Sequence, residues 1–447
     1  MSEASPAEDL NKKSGAATDV GSYFISNYPP FSFWSTSHLD AVEEVLNQEP
    51  DPSTPLGLYL HIPFCRKRCK FCYFRVYTDK SSNEVEVYVD ALTREMALYR
   101  DRALFANRPL RFVYFGGGTP SFLGSRQLSS LVERLQKSVS WEHAEEVTFE
   151  CEPGTLSQSK VRALRDIGVT RLSLGIENFD DEVLRENGRA HLSEEVYRSY
   201  EWIRDAGFPQ VNVDLIAGMV GETEENWRRG IEKVIELDPD SVTIYQMELP
   251  YNTVYSREIL DKGEASPVAG WATKRDWVGY AFDELERVGY RVSSAYTMVK
   301  PSSNNDGDFS YRDSLWRGAD LLGTGVASFS HIGGVHFQNL DGFQPYVEAC
   351  VEGRLPLSRG YPVAPKERLI RELILQLKLG EIDAQYFRDK FGCEILEEFA
   401  SVFDTLRDEG VLDWVGDRIT LSREGLLRVD SLLPGFFLPE HRGARYT

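Results

Sequence analysis

From Leu56 onward, the sequence alternates short apolar runs with longer amphipathic stretches. Six runs rich in Val, Ile, Leu, Phe and Tyr have the length of strands and follow one another in series: 57–62, 111–115, 146–150, 171–175, 211–216 and 241–246. Helical patterns separate them, with apolar residues recurring at spacings of three and four. Six strand–helix units in series require parallel strands joined by right-handed crossovers. We therefore predict an α/β fold built on a partial (β/α)6 TIM-like barrel.

Changes in amino-acid composition and a proline-rich linker divide the chain into further segments. We expect a disordered leader of a cytoplasmic protein over residues 1–22, which lacks an apolar signal core, and then an aromatic arm and a proline-rich linker over 23–55. The barrel should span 56–300, and an extension containing a Gly/Ser-rich segment should close it over 301–365. Helical patterns around a small strand pair predict a mostly helical, winged-helix-like C-terminal domain over 366–447.

The overall charge narrows the classes of function. The 447 residues carry a formal net charge of -20, which argues against nonspecific binding to nucleic acid or to anionic membranes. No stretch approaches the ~20 consecutive apolar residues of a membrane span. Three of the six cysteines are crowded together and three are scattered, which is not the pattern of a disulfide framework. A tight group of cysteines indicates a metal-binding or catalytic site.

The crowded cysteines are Cys65, Cys69 and Cys72, with the spacing C-x3-C-x2-C directly after the first predicted strand. Three thiolates on one loop can bind three irons of a [4Fe–4S] cluster and leave the fourth iron open to amino and carboxylate groups. A structural zinc site needs four ligands, and the nearest additional candidate is His61. The pattern favours the cluster, and zinc is the alternative.

A glycine-rich motif, FGGGTPS, ends the second predicted strand. Its three glycines, Gly116, Gly117 and Gly118, would let the backbone approach an amino acid moiety closely, although a simple tight turn has the same composition. Because the C-terminal ends of parallel strands meet at one rim of a barrel, this motif and the cysteine loop should lie together.

Several charged residues lie within or after the later predicted strands. Glu150, Glu177 and Asp214 would suit ribose hydroxyls and an ammonium group, and the alternatives are structural carboxylates or a divalent-metal site. Arg189 could bind a carboxylate bidentately, or it could be a surface arginine.

Taken together, the sequence blocks resemble the oxygen-independent coproporphyrinogen oxidase (HemN-type) branch of the radical S-adenosylmethionine superfamily. The blocks are YLHIPFC, GGGTPS, EPGT, RLSLGIENF, VDLIAGMVGET and LLGTGVASFS, in the order of that branch. The resemblance extends from about Tyr23 to the C-terminus. It implies an enzyme in which S-adenosylmethionine is cleaved at a [4Fe–4S] cluster to methionine and a 5′-deoxyadenosyl radical.

The resemblance also implies roles for individual residues. Cys65, Cys69 and Cys72 would bind the cluster, with Tyr59 and Phe71 flanking the cofactor. The residues implied to contact S-adenosylmethionine are Gly117, Gly118, Thr119, Glu150, Arg189 and Asp214, with Phe329 on the adenine or substrate side. Glu177 stands where the family usually has glutamine, and a carboxylate accepts hydrogen bonds but donates one only when protonated. No other catalytic side chain is identified.

The implied substrate is a tetrapyrrole such as coproporphyrinogen III, and the implied partner is a low-potential electron donor such as flavodoxin or ferredoxin. Decarboxylating members of the family usually carry a further cysteine two residues after the third, where this chain has Phe74. Relatives that are heme chaperones, methyltransferases or cyclopropanases also lack that cysteine, so these functions stay open. In a chaperone, His191 or His331 could serve the heme. In the decarboxylase, loop arginines such as Arg66, Arg68 and Arg75 could meet substrate carboxylates.

Overall fold

The computed structural model describes residues 27–105, 108–249, 253–257, 268–301 and 309–443. The predicted leader over 1–22 and the first residues of the arm lie outside these ranges.

Six parallel strands form the centre of the molecule, each paired with the next in the chain. They are β1 (Leu56–Ile62), β2 (Leu110–Gly117), β3 (Glu146–Cys151), β4 (Arg171–Glu177), β5 (Gln210–Ala217) and β6 (Ser241–Gln246). Every predicted strand is confirmed, with ends shifted by at most two residues. Leu58, Leu60 and Ile62 of β1 are fully buried, and burial of each such side chain contributes about 1.5–3 kcal/mol.

Helices follow the strands as the periodicity predicts. After α1 (Leu39–Asn47), the helices of the barrel are α2 (Ser82–Arg100), α3 (Ser125–Leu135), α4 (Gln158–Asp166), α5 (Asp181–Glu186), α6 (Ser193–Ala206) and α7 (Glu224–Leu237). Helix α2 begins with a capping box, in which the Ser81 hydroxyl accepts from the Glu84 N–H and the Glu84 carboxylate accepts from the Ser81 N–H.

The sheet continues on both sides of the six strands. Its other members are β7 (Arg291–Ser294), β8 (Thr297–Val299), β9 (Asp320–Thr324), β10 (Phe329–Ile332), β11 (Val335–Asn339) and β12 (Leu357–Pro362), and the helices of this region are α8 (Trp271–Arg287), α9 (Ser310–Trp316) and α10 (Phe343–Val351). The strand order is β12-β11-β10-β9-β1-β2-β3-β4-β5-β6-β8-β7, and β9 runs parallel to β1. Among the described residues β7 and β12 are the two edges, so the barrel is partial, as predicted.

The C-terminal part is mostly helical around a small antiparallel sheet. It comprises α11 (Pro365–Leu377), β13 (Glu381–Asp383), α12 (Ala384–Phe391), α13 (Ile395–Glu398), α14 (Ala400–Asp408), β14 (Leu412–Val415), β15 (Arg418–Leu421), α15 (Arg423–Leu427) and α16 (Val429–Leu432). The predicted strand pair is β14 and β15, and β13 adds a third strand beside β15. Tyr296 donates to Asp430 at 2.6 Å and Gln246 donates to the Leu427 carbonyl at 3.0 Å, so this part lies against the β6 side of the barrel. The exact domain boundaries stay predictions.

The aromatic arm lies against the extended side of the sheet. Trp34 stacks on His336 of β11, with ring centroids 4.8 Å apart. Ser35 and Gly360 of edge strand β12 then exchange two backbone hydrogen bonds, each 3.0 Å long, before α1 begins. The arm therefore joins the sheet at its edge.

None of the described helices combines the length and the apolar character that a membrane crossing requires.

Candidate active site at the C-terminal ends of the parallel strands

The cysteine loop leaves the end of β1 and is closed at its base by backbone hydrogen bonds. The Cys65 N–H donates to the Tyr77 carbonyl at 3.1 Å, and the Tyr77 N–H donates to the Pro63 carbonyl at 2.8 Å. Within the loop, the Cys72 N–H donates to the Cys69 carbonyl at 3.1 Å. None of the three cysteines is in a disulfide, and each residue is partly buried, so the loop is held in place with three free thiols.

Two side chains from other strand ends reach the sulfurs. The Thr119 hydroxyl lies 3.3 Å from Cys65 Sγ, and Arg189 Nη1 lies 3.4 Å from Cys69 Sγ. Burial raises the pKa of Cys65 to about 12 and that of Cys72 to about 11. Desolvated thiols of this kind favour the thiolate only when a strong positive charge is supplied, which metal ions do. The chemistry of the loop therefore fits an iron–sulfur cluster.

The glycine motif lies directly against the cysteine loop. The Gly118 N–H donates to the Ile62 carbonyl at 2.9 Å. A Cβ atom on Gly118 would lie 2.9 Å from the Pro63 carbonyl carbon and 3.1 Å from Cys65 Sγ, so only glycine permits this approach. Gly117 has φ +115° and its N–H donates to Glu150 at 3.2 Å. The motif does more than make a tight turn, because it brings the ends of β1, β2 and β3 together.

Three partly buried carboxyl groups occupy the neighbouring strands. Glu150 accepts hydrogen bonds from the Tyr114 hydroxyl and Gly117, and Asp214 accepts from Ser173 at 2.7 Å and Asn212 at 2.9 Å. Burial, with the nearby carboxylates adding to it, raises the pKa of Glu150 to about 7 and that of Asp214 to about 8. Burial also raises the pKa of Glu177. Carboxyl groups whose pKa values are raised in this way are readily protonated near neutral pH. A bound cation would favour their ionised form.

Arg189 does not form the bidentate pair that its sequence context suggested. Its Nη1 lies 3.5 Å from Glu177 and also faces Cys69, while Nη2 donates to the Gly175 carbonyl at 2.7 Å. Glu177 adopts the left-handed conformation, with φ 65°, where β4 ends. The guanidinium is thus shared among three acceptors and joins the end of β4 to the cysteine loop.

Aromatic residues line the same face of the sheet. Tyr59 pairs with Tyr114 across β1 and β2, their rings are 5.9 Å apart, and the Tyr59 hydroxyl lies 3.2 Å from His61 Nδ1. Tyr245 of β6 is 49% exposed although it lies in the middle of the molecule. Sequence reasoning missed Tyr114 and Tyr245, and the alternation of side chains along each strand was the signal that could have found them.

Two other predicted site residues, Phe71 and Phe329, make contacts with apolar and aromatic side chains. Phe71, in the cysteine loop, packs against a small apolar cluster that includes Met219 and Met247. Phe329 contacts the arm, with its ring 6.2 Å from Phe31 and 5.6 Å from Trp34. The placement of Phe329 on the adenine or substrate side stays a prediction.

Both histidines proposed for heme are buried, and each has a ring nitrogen close to another polar group. His191 Nδ1 lies 3.0 Å from Glu152, and Nε2 lies 3.2 Å from the Ile176 carbonyl. His331 is buried with its Nδ1 3.2 Å from His336 Nδ1. The loop arginines are also engaged: Arg66 pairs with Glu152, Arg75 with Asp341, and Arg68 donates to the Cys72 carbonyl.

A cavity of about 600 Å³ opens at the opposite end of the strands. It is lined by residues from strand beginnings, such as Glu146 and Gln210, and by Asp313 and Arg317 around α9. It contains no thiol. We place the candidate site at the cysteine loop because the chemically distinctive side chains converge there.

Comparison with known proteins agrees with this placement. Residues 59–234, which include all three clustered cysteines and the three carboxyl groups, match the family model of the radical SAM superfamily. This part of the chain is therefore similar to a radical SAM domain. Proteins of this superfamily use a [4Fe–4S] cluster and S-adenosylmethionine, and the desolvated cysteines and the Gly118 contact fit those cofactors.

Three comparisons extend the match beyond residues 59–234. The heme chaperone HemW of Bacillus subtilis is 26% identical over 384 residues, covering 86% of this chain and 99% of that protein. The oxygen-independent coproporphyrinogen III oxidase of Escherichia coli K12 is 27% identical over 396 residues, covering 85% of each. The solved structure of coproporphyrinogen III oxidase (HemN) from Escherichia coli superimposes with a TM-score of 0.79 at 25% identity, covering 92% of this chain and 96% of that one. The resemblance drawn from the sequence blocks is therefore confirmed, and the fold is HemN-like.

Proposed function

We propose that this protein is a radical SAM enzyme that acts on a porphyrinogen-type substrate by oxidative decarboxylation, as a coproporphyrinogen III oxidase does. The observation that carries the proposal is the convergence at one rim of the cysteine loop, the glycine motif and three partly buried carboxyl groups. Cys65, Cys69 and Cys72 would hold the cluster. When bound there, the cluster and S-adenosylmethionine supply a carbon radical that abstracts hydrogen.

The rim residues would bind and orient S-adenosylmethionine. Gly117 and Gly118 leave room for its amino acid end beside Cys65. Glu150 and Asp214 would accept from its hydroxyl and ammonium groups, and both carboxyl groups would lose their protons as the cation arrives. Thr119 and Arg189 would hold two of the cysteine sulfurs in place, because they contact Cys65 Sγ and Cys69 Sγ.

Recognition of a substrate carboxylate would require a cation on the sheet face that carries Tyr59. Arg359 of β12 pairs with Gln338, which pairs with Phe329, so these three side chains share one face. The Arg359 guanidinium lies 4.9 Å from the Phe31 ring centroid, and no acidic partner for it occurs among the described residues. Four strand spacings of ~4.8 Å separate β12 from β1, about 19 Å of sheet that a large flat substrate can span. Arg359 is our candidate for a peripheral propionate.

The proposed decarboxylation would convert a propionate side chain to a vinyl group. A hydrogen atom is removed from a propionate side chain, carbon dioxide leaves, one electron passes to an acceptor, and a vinyl group remains. A low-potential donor such as flavodoxin or ferredoxin would supply the electron that starts each turnover.

The test is anaerobic reconstitution with iron, sulfide, dithionite and S-adenosylmethionine, with and without coproporphyrinogen III. We expect 5′-deoxyadenosine in both cases and a mono- or divinyl product only with substrate. If 5′-deoxyadenosine forms but no vinyl product appears, the decarboxylase assignment is wrong and the radical SAM assignment stands. Transfer of a methyl group to an added acceptor would point to the methyltransferase or cyclopropanase alternative.

A heme chaperone is the second candidate, and Phe74 favours it. This residue stands where decarboxylating relatives usually carry a cysteine, and it is partly exposed beside Tyr73, with the two rings 4.6 Å apart. Titration of the reconstituted protein with heme tests it. A stoichiometric shift of the Soret band, together with no turnover of coproporphyrinogen III, would favour the chaperone.

A further inference from the structure

The cysteine loop is strongly basic, although the protein as a whole is acidic. Residues 65–75 contain five basic side chains and no acidic one, whereas the 447 residues carry a formal net charge of -20. The five are Arg66, Lys67, Arg68, Lys70 and Arg75. An acidic molecule is therefore repelled by the net charge of the protein and attracted at this loop, and such a charge pattern orients an encounter between two proteins.

The cations of the loop differ in how far the protein itself occupies them. Four of them have partners, which are Glu152 for Arg66, Glu186 for Lys70, Asp341 for Arg75 and the Cys72 carbonyl for Arg68. Lys67 is exposed, and no hydrogen-bond or ion-pair partner for it occurs among the described residues. The partners hold the loop in place, and Lys67 is left to meet a charge from outside.

Lys67 is close to the predicted cluster ligands along the chain. It stands two residues from Cys65 and two from Cys69. Because an extended chain advances at most ~3.6 Å per residue, its Cα atom lies within about 7 Å of the Cα atoms of both cysteines. Electron transfer between proteins slows steeply as the distance between redox groups grows. A molecule that contacts Lys67 is therefore placed where it could pass an electron to a cluster on this loop.

The loop also presents an aromatic side chain. Phe74 is 38% exposed and directly precedes Arg75. Aromatic residues and arginine are enriched at protein–protein interfaces, where exposed aromatic rings serve as anchors. Substrate carboxylates are the other anions that these cations could meet, so the experiment has to separate the two occupants.

We propose that the exposed side chains of the cysteine loop form the docking surface for an acidic protein that donates one electron. These side chains are Arg66, Lys67, Arg68, Phe74 and Arg75. Acidic groups of the donor would pair with the cations, and the donor would be oxidised by one electron while the cluster is reduced by one. The inference rests on the cluster of the proposed function and does not depend on the substrate.

The first test measures binding. An oxidised flavodoxin with a strongly negative net charge is titrated into the reconstituted protein in a calorimeter at several salt concentrations. We expect binding to weaken as salt rises, and Lys67→Glu to weaken it about five- to tenfold at low salt, because an exposed attraction becomes a repulsion. Lys67→Arg keeps the charge and should bind like the unmodified protein.

The matched control for the charge reversal is Lys137→Glu. Lys137 is exposed and follows α3, at the end of the barrel where the strands begin. We expect this variant to bind flavodoxin almost as the unmodified protein does. No binding at low salt, no weakening in Lys67→Glu, or equal weakening in both variants would overturn the proposal.

The second test separates docking from an effect on the cluster. Formation of 5′-deoxyadenosine is measured without coproporphyrinogen III, once with photoreduced flavodoxin below saturation and once with dithionite in excess. We expect Lys67→Glu to slow the flavodoxin-driven rate about five- to tenfold and to leave the dithionite-driven rate unchanged. An equal loss with both reductants would overturn the proposal, since Lys67 would then act on the cluster itself.

The substrate alternative has its own outcome. If Lys67→Glu raises KM for coproporphyrinogen III in the dithionite-driven reaction and leaves flavodoxin binding unchanged, the loop meets substrate carboxylates and the docking proposal is wrong. Failure of the proposed function looks different. If dithionite yields no 5′-deoxyadenosine with the unmodified protein, the cluster chemistry is wrong, and the affinity for flavodoxin still decides whether the loop binds an acidic protein.

Discussion

Arg189 Nη1 lies 3.4 Å from Cys69 Sγ and 3.5 Å from Glu177 Oε1, so a single guanidinium joins the cysteine loop to the end of β4. Both contacts are partly buried, and charges interact more strongly there than in bulk water. The negative charge of a carboxylate at position 177 is therefore offset by the positive charge of Arg189.

Binding of S-adenosylmethionine should strengthen as the pH rises. Below their raised pKa values of about 7 and about 8, Glu150 and Asp214 are protonated and neutral, and a cationic ligand then has to displace protons. Because both carboxyl groups must lose their protons, we expect the Kd to fall by roughly two orders of magnitude or more between pH 6 and pH 8 and to level off above about pH 9. Calorimetry in two buffers of different ionisation enthalpy should detect proton release on binding. A Kd independent of pH would contradict the assignment, and Asp214→Asn should lose the upper part of the pH dependence.

Gly118→Ala should impair cluster assembly while leaving the fold intact. The added methyl group would lie 2.9 Å from the Pro63 carbonyl carbon and 3.1 Å from Cys65 Sγ, so the cysteine loop must move away from β2. We expect iron content after reconstitution to fall at least by half, with an unchanged circular dichroism spectrum. Gly270→Ala is the matched control, because nothing lies within 4 Å of its new methyl group. Full iron content in the Gly118 variant would show that the close approach is not needed.

Cys72→Ala should abolish the cluster and with it the cleavage of S-adenosylmethionine. With two thiolates left, the loop can no longer bind three irons. Iron and sulfide analysis and 5′-deoxyadenosine formation measure the loss. Cys393→Ala is the control, since Cys393 is a free, partly exposed cysteine outside the loop, and it should behave as the unmodified protein. Equal loss in both variants would disprove the assignment of the cluster to this loop.

Arg359→Gln should weaken substrate binding without slowing the initiating step. A hydrogen bond to a charged group contributes about 1.5–3 kcal/mol, so KM for coproporphyrinogen III should rise about ten- to a hundredfold. Formation of 5′-deoxyadenosine without substrate should be unchanged. Arg354, which pairs with Glu352 at 3.1 Å, provides the control Arg354→Gln. The same rise in both variants would indicate a general charge effect, not a specific contact.

The parallel core could be predicted from the sequence because local patterns determine it. Apolar runs and helical spacing located β1 to β6 within two residues, and motif order brought Cys65, Gly118 and Glu150 to one rim. The pairing of β9 with β1 could not be predicted in this way, since it joins segments more than 250 residues apart and depends on the whole sheet. Strand β9 also overlaps a Gly/Ser-rich stretch, whose composition does not indicate a strand.

The electrostatic details of the site could not be predicted for a different reason. The spacing of Arg189 and His191 in the sequence says nothing about which atoms they face. Glu177 adopts the left-handed conformation where β4 ends and lies 3.5 Å from Arg189, and the Ile176 carbonyl lies 3.2 Å from His191 Nε2. Both depend on backbone geometry at the end of β4, which no local pattern encodes.

The two hydrogen bonds between Ser35 and Gly360 have a consequence for the behaviour of the protein in solution. A barrel that stays open to admit a substrate has unpaired edges, and an unpaired edge strand can recruit a second molecule and start aggregation. The arm occupies backbone groups of β12 that would otherwise be available to a neighbour, and Trp34 anchors it there. Removing the arm should therefore make the protein self-associate at high concentration.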